Sequence, residues 1–334
     1  MARGQRRARA EAPSGSEGTL ADDMLHLWDL PPGAQARLIN LAENRTYLVE
    51  APCGFRAVLR LHRAGYHSRE AIASELAWMT ALERDGVIAV PRAIAGRDGA
   101  LIQKTPHPGT TRFMVLFDFI EGDAPDERGD LTRGFEELGS IAARCHAHAL
   151  GWRRPEGFTR LTWDAQAVFG PAAPWGDWRD APGVSAALRP LLEQAERRVR
   201  ARLDAYGKAP ERFTLIHADM RLANLLIGPE GTRLIDFDDC GMGWLIYDFA
   251  AAISFMEDDP RIPALKSAWL RGYRSVRPLN ARDEAEIDTM VMLRRMALLA
   301  WIGSHMDATE PQALAPHFAD CTAKLARAWL ARQP

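Results

Sequence analysis

The chain has 334 residues, of which 47% are hydrophobic and 26% charged, enough to bury one large or two moderate cores. Its 42 basic and 44 acidic residues leave a formal net charge of −2, so no overall field draws in nucleic acid or an anionic membrane, and neither is expected as a partner. The four cysteines, Cys53, Cys145, Cys240 and Cys321, are scattered without a CxxC pairing, which points to reduced thiols in a cytoplasmic enzyme rather than a disulfide framework or a zinc site.

Residues 1–18 are Arg-rich, then small and polar. They lack the apolar core of a secretory signal and read as a disordered basic tail, or else as a contact for an anionic partner. Residues 38–50 read as two strands around a turn at Glu43-Asn44, and 55–62 alternate as a third strand. An amphipathic helix is expected over 68–84, where Ser68 can cap the start and Ile72, Leu76, Met79 and Leu82 fall near one face. Extended apolar runs follow at 87–94, 100–104 and 113–120.

Residues 132–150 are strongly helical. His146 and His148 lie two apart on that helix and point in different directions, so they are not expected to share a metal. Residues 152–182 break the helical pattern with Trp163, Trp175, Trp178 and several prolines and glycines. Further helices are expected over 184–206, 263–273, 281–303 and 311–332. The longest apolar stretch, 296–303, is far too short to cross a bilayer.

The most informative stretch is 215–250, LIHADMRLANLLIGPEGTRLIDFDDCGMGWLIYDFA at its core. It carries a His-x-Asp at His217 and Asp219, an Asn five residues after that Asp, and Asp236 twelve further on. Phosphoryl transfer needs an attacking hydroxyl held in line and divalent cations bridging the nucleotide phosphates. One carboxylate must face the acceptor, while Mg²⁺ takes hard oxygen donors and needs only one or two from protein. The flanks read as strand, loop, strand, turn at 228–231, strand and then Asp236. Asp219 thus sits on a catalytic loop as the candidate base, and Asn224 and Asp236 are the candidate Mg²⁺ ligands.

On HADMRLAN, LIDFDD and YDFA, the sequence resembles the aminoglycoside phosphotransferase and choline kinase superfamily, which shares the protein-kinase fold. It lies near the type II homoserine kinases, and the paired Asp238-Asp239 also look like the bacterial stress-response Ser/Thr kinases of that superfamily. The resemblance implies a two-lobed α+β fold. A nucleotide lobe over 19–117 would carry a small antiparallel sheet and one main helix, a hinge would span 118–122, and a mainly helical catalytic and substrate lobe would span 123–334. It carries the base role to Asp219 and the Mg²⁺ roles to Asn224 and Asp236. His217 and Asp248 are expected to support the loop. Arg221 stands where many protein kinases aim a Lys at the transferring phosphate, and a surface or salt-bridged Arg is the alternative.

No GxGxxG is present, and residues 41–47, with Asn44, occupy its place. Arg60 stands where the family has the strand Lys, with Glu75 as its natural partner. Adenine is expected against the main chain of Phe117, Asp118, Phe119 and Ile120. The implied activity is ATP- and Mg²⁺-dependent transfer of the γ-phosphate to the hydroxyl of a small molecule, an amino alcohol or a homoserine-like or aminoglycoside-like compound. A Ser/Thr protein kinase and a nucleotide-binding pseudokinase are the alternatives. Glu257-Asp258-Asp259, Asp307 and Glu310 read either as receptors for a cationic amino alcohol or as acidic surface turns. Nothing in the sequence fixes the acceptor or an oligomeric state.

Overall fold

The computed structural model describes residues 17–41, 44–105, 111–125, 129–229 and 231–332. Most of the expected basic tail, Ala42 and Glu43 of the phosphate-facing segment, and Glu230 of the turn before Asp236 lie outside the described residues. The chain forms two compact units, Met1–His67 with Ala93–Phe119, and Ser68–Arg92 with Ile120–Pro334.

The first unit opens with helix α1 (Glu17–Met24), where the sequence had suggested a tail to residue 18. Strands β1 (Gln35–Leu41), β2 (Arg45–Glu50), β3 (Arg56–Leu61), β4 (Ala93–Ile94), β5 (Gln103–Lys104) and β6 (Phe113–Asp118) follow. They form one sheet in the order β1-β2-β3-β6-β4, with β5 also on β6 and every pairing antiparallel. Alternation decides which face is dry: Tyr47, Val49, Ala57, Leu59, Met114 and Leu116 pack with Met24, Leu25 and Trp28 into one cluster. The Trp28 indole donates to Ile94 O at 3.1 Å, satisfying its only polar atom in that core.

Two of the expected strands are shorter than the apolar runs suggest. Gly96 N donates to Ala100 O and Gly99 N to Gly96 O, so a tight turn takes up the start of the 100–104 run. The segment 87–92 lies in the second unit, where Ala89 bridges Arg233 in place of joining a strand.

Helix α2 (Arg69–Arg84) starts where its cap predicts, with Ser68 Oγ accepting from Ala71 N at 3.1 Å. It groups with the second unit, although the sequence reading placed it in the nucleotide lobe. The reason is its partners: Trp78 meets Phe237 edge-on at 5.5 Å, Ser74 Oγ accepts from Thr159 N, and Ala71 O accepts from Arg160.

The rest of the second unit runs through α3 (Thr132–Gly151), β7 (Leu161–Thr162), α4 (Ala165–Phe169), α5 (Arg189–Tyr206), β8 (Phe213–Ile216), β9 (Leu225–Gly228), β10 (Gly231–Leu234) and β11 (Gly241–Trp244). It ends in α6 (Tyr247–Ala252), α7 (Ile262–Arg274), α8 (Ala281–Ala285), α9 (Ile287–Ser304) and α10 (Thr309–Ala331). β9 and β10 form a hairpin, and β11 lies between β7 and β8.

β11 escaped the sequence reading because GMGW lacks the β-branched signal of a strand. Close packing accounts for the glycines: a Cβ on Gly241 would meet the backbone atom Leu161 O at 2.5 Å, and one on Gly243 would displace the Ile216 side chain, whose Cδ1 lies at 2.5 Å. Helices α3 and α7 cross equally closely, since a Cβ on Gly139 would lie 2.0 Å from Trp269 O and one on Gly272 1.8 Å from Glu136 O. The single helix expected over 281–303 is interrupted at Glu286, whose carboxylate accepts from Arg202 Nη2 at 2.7 Å and from the Thr289 hydroxyl at 2.8 Å.

Candidate active site

The site is built on the chain leaving β8. His217 and Ala218 follow the strand, and their N–H groups both point at one carboxylate. Asp248, in the first turn of α6 and fully buried, accepts from Ala218 N through Oδ1 at 2.7 Å and from His217 N through Oδ2 at 3.2 Å. The same Oδ2 lies 2.9 Å from His146 Nε2, and His146 Nδ1 lies 3.0 Å from the Tyr273 hydroxyl. In the tautomer that donates Nε2–H to Asp248, Nδ1 accepts from Tyr273. A carboxylate with three donors is thus fixed from α3, α7 and the loop at once, and both nitrogens of His146 and both oxygens of Asp248 have partners. His146 has this structural place and is not paired with His148, whose Nε2 instead meets Asp85 at 3.1 Å.

Held this way, Ala218 takes φ +65°, a left-handed conformation rare for a side chain with Cβ, and turns Asp219 away from the strand direction. His217 ties two loops together: Nε2 donates to Ile235 O at 3.1 Å, Nδ1 accepts from Asp219 N at 3.3 Å, and the ring packs on Phe237 at 4.6 Å. Both ring nitrogens are thus engaged by the main chain of these two loops.

Asp219 is 9% exposed and surrounded by donors. Arg294 Nη2 reaches Oδ1 at 2.8 Å, while Asn224 Nδ2 reaches Oδ2 at 2.9 Å and Asp219 O at 2.8 Å. Arg221 Nε approaches Oδ2 at 3.3 Å. Burial alone would raise the Asp219 pKa, but Arg221 and Arg294, helped by His217 and Asn224, more than offset it and hold the carboxyl below its usual range. Arg221 is therefore salt-bridged to Asp219. Its guanidinium also stands 5.7 Å from the Phe255 ring centre, with the Glu310 charge nearby.

With its amide nitrogen committed to Asp219, Asn224 is left with Oδ1 as the atom for a cation. Its carbonyl accepts from Ile235 N at 2.9 Å, which lays the segment leading to Asp236 alongside the catalytic loop. Asp236 has φ +62° and Phe255 φ +70°, so all three non-glycine residues with left-handed backbone among the described ones, Ala218 included, stand in or beside this constellation. Arg160 secures the loop after Asp236: its guanidinium donates to Cys240 O at 2.7 Å, to Ala71 O at 2.9 Å and to Asp238 O. Glu75, fully buried in α2, acts electrostatically on the same guanidinium. Among the described residues no group of three or more His, Cys, Asp or Glu forms a metal cage. Mg²⁺ beside phosphates does not require one, and the hard oxygens of Asn224 and Asp236 suit it.

Of the first-unit candidates, Arg60, Phe117 and Asp118 lie on the central strands β3 and β6. Arg60, 8% exposed on β3, stands over the Phe117 ring at 5.1 Å. Asp118 pairs with Ala57, and Phe119 packs under Arg56 at 4.1 Å. Asn44 Oδ1 accepts from Arg63 N at 3.1 Å, fixing the end of the hairpin turn. Ile120 belongs to the second unit and is 8% exposed.

Arg294 was missed from sequence. Its signal was two adjacent arginines inside the apolar run MVMLRRMALLAWI of α9, since a charge in such a run is buried only with a partner. Arg294 also donates to Ser254 Oγ at 3.0 Å and stands over Trp175 at 5.1 Å and Tyr247 at 5.9 Å. Burial pushes the Tyr247 phenol up to about 12, so it keeps its proton at neutral pH.

Residues 35–279 match the family described as the phosphotransferase enzyme family. A solved structure, that of the microcompartment-associated aminopropanol kinase, is 42% identical with a TM-score of 0.86, covering 94% of this chain and 97% of that one. The amicoumacin kinase in complex with AMP-PNP, Ca²⁺ and Ami is 18% identical with a TM-score of 0.75, over 92% of this chain and 93% of that one, a likeness of fold. A homoserine kinase from Gluconobacter oxydans (strain 621H) is 28% identical over 183 residues, 52% of this chain and 55% of that protein.

Proposed function

Since the chain belongs to the phosphotransferase enzyme family and has its two-lobed, kinase-like α+β fold, we propose that it is an ATP- and Mg²⁺-dependent kinase that phosphorylates the hydroxyl of a small amino alcohol. The observation that carries the reading is Asp219: a buried carboxylate on a braced loop, flanked by two arginines and tied through Asn224 to the segment of Asp236. The aminopropanol kinase likeness over nearly the whole chain supports the acceptor class.

In this reading the acceptor hydroxyl donates to Asp219 and lies in line with the γ-phosphorus. The new P–O bond forms as the bond to the β-phosphate oxygen breaks, ADP leaves with that electron pair, and the hydroxyl proton passes to the Asp219 carboxylate. A carboxylate held below its usual pKa is a weak base. Its contribution is therefore chiefly to align the hydroxyl, with the proton moving late, as a loose phosphoryl transition state permits. Arg221, freed from or shared with Asp219, can neutralise charge on the transferring group. Asn224 and Asp236 would hold Mg²⁺, which supplies charge neutralisation across the phosphates. The nucleotide roles of Asn44, Arg60, Glu75, Phe117, Asp118, Phe119 and Ile120 rest on the family resemblance alone.

The test is ADP release with Mg²⁺-ATP over 1-amino-2-propanol, ethanolamine, choline, homoserine, aminoglycosides and a generic protein acceptor. Short amino alcohols should give the highest kcat/KM. Turnover with protein acceptors alone would overturn the small-molecule reading, and no phosphorylated product with any acceptor would overturn the kinase reading.

A further inference from the structure

The chain leaving Asp236 is held by two side chains that lie about 75 residues before it. Cys240 N donates to Phe237 O at 2.9 Å and closes a tight turn. Each of the next three carbonyls accepts from a side chain: Arg160 Nη2 donates to Asp238 O, Trp163 Nε1 to Asp239 O at 2.8 Å, and Arg160 Nε to Cys240 O at 2.7 Å. The two donors flank β7, whose Leu161 and Thr162 pair in parallel with Gly241 and Met242 just past the turn. Gly241 leaves room for the indole, since a Cβ there would stand 3.1 Å from Trp163 Nε1. The remaining guanidinium nitrogen, Nη1, donates to Ala71 O at 2.9 Å and ties the same clamp to α2.

Asp236 stands between two anchors. On the entry side Ile235 N donates to Asn224 O at 2.9 Å, and Ile235 O accepts from His217 Nε2 at 3.1 Å. On the exit side the Phe237 ring packs between Trp78 and His217, and the main chain is taken by Arg160 and Trp163. The φ of +62° at Asp236 is unfavourable for a residue with Cβ and persists only where the surroundings over-determine it. A guanidinium suits that task because its rigid fork of donors can hold successive carbonyls, which an ammonium cannot do. Trp163 is 1% exposed, and its ring meets Trp175 at 4.8 Å and stacks along Tyr247 at 6.2 Å. Both of those rings stand against Arg294, so the indole backs the Asp236 loop through its N–H and the Arg294–Asp219 pair through its ring.

We propose that Arg160 and Trp163 are positioning residues for the divalent cation: by fixing the main chain of 238–240 they hold Asp236 in the left-handed conformation in which its carboxylate serves as a ligand. The proposal rests on the reading of Asn224 and Asp236 as the Mg²⁺ ligands. In this role neither side chain coordinates the cation, and both act through Asp236. Groups that orient a ligand in this way are commonly worth about ten- to a hundredfold in metal affinity.

The test counts free Mn²⁺ by electron paramagnetic resonance as the ion is titrated into an equimolar mixture of the full chain and ADP. Wild type should take up Mn²⁺ more tightly than ADP alone. Trp163→Phe keeps the ring against Trp175 and Tyr247 and removes the N–H; it should weaken that uptake by about tenfold, and Arg160→Lys by about tenfold or more. In both variants ADP binding in EDTA should stay within about twofold of wild type, and turnover should need more Mg²⁺ to reach a kcat that excess Mg²⁺ restores. A clamp that merely stabilised the fold would lower Tm and leave the Mn²⁺ titration of the folded protein unchanged, and that result in either variant would overturn the proposal. Trp163→Phe decides the matter if Arg160→Lys does not fold. If neither folds, the Trp163 indole ¹H–¹⁵N resonance of wild type decides it: the resonance should shift when Mg²⁺ joins the ADP complex, and one that stays still overturns the proposal. Wild type that takes up no more Mn²⁺ than ADP alone would overturn the cation role of Asp236 itself, and the proposal with it.

Discussion

Replacing Arg294 with Met keeps most of the side-chain volume and removes the charge that reaches Asp219 Oδ1 at 2.8 Å. Breaking a buried ion pair by deleting one partner costs about 3–5 kcal/mol, because the other charge is left uncompensated. Here the carboxylate keeps Arg221 and Asn224 on Oδ2, so the cost should fall at the lower end, about 3 kcal/mol. For a chain of this size that is a drop of roughly 6 °C in Tm by differential scanning calorimetry. kcat should fall by about two orders of magnitude as the carboxylate loses its alignment. The decisive measurement is the double-mutant cycle with Asp219→Asn. In that background Arg294 has already lost its counter-charge, and removing it should cost less than about 1 kcal/mol or even stabilise. An equal cost in both backgrounds would refute the reasoning: Arg294 would then be held by Ser254, Trp175 and Tyr247 rather than by Asp219.

Further outcomes follow from the same geometry. Asp219→Asn should abolish phosphorylated product while keeping the rise in Tm that Mg²⁺-ATP produces in wild type, and turnover equal to wild type would reject its role. Asp248→Asn replaces an oxygen that accepts N–H groups with an amide that must point a donor at one of them, which should cost about 1–3 kcal/mol by chemical denaturation and lower kcat with little change in KM. Gly272→Ala drives a Cβ to 1.8 Å from Glu136 O, so α3 and α7 must separate; a loss of about 3 kcal/mol or failure to fold is expected, read by circular dichroism on soluble protein. Burial pushes the Cys145 and Cys240 thiols up to about 12, whereas Cys53 is exposed. At pH 8 Ellman's reagent should therefore react promptly with Cys53 and reach the two buried thiols only on unfolding. Because their folded pKa values lie above the ordinary thiol value of 9.0, their contribution to stability is complete below that value and is lost as pH rises toward about 12, measured by base titration of Cys145→Ala and Cys240→Ala against wild type.

The local parts of the fold were legible because they are written in short-range chemistry. Ser68 announces the start of α2, and the alternation in β2 and β3 announces a sheet with one dry face. The spacing of Asp219 and Asn224 marks a loop whose two ends fold back on each other through the Asn224 amide. What escaped was set by contacts remote in sequence. Arg294 lies 75 residues from Asp219 and Arg160 lies 80 from Cys240, and no local pattern states which buried arginine serves which partner. β11 was hidden for the opposite reason: its glycines answer to the backbone of β7 and the side chain of Ile216 rather than to any propensity of their own.

The double attachment of the Asn224 amide to Asp219, once to the main chain and once to the carboxylate, has a bearing on how such an enzyme can diversify. In the proposed kinase, base and cation ligand share one rigid hinge of atoms, so a change that retunes the loop for a new acceptor also disturbs the nucleotide side. Evolution or design toward larger or differently charged acceptors is thereby steered away from residues 217–224 and onto the residues around them.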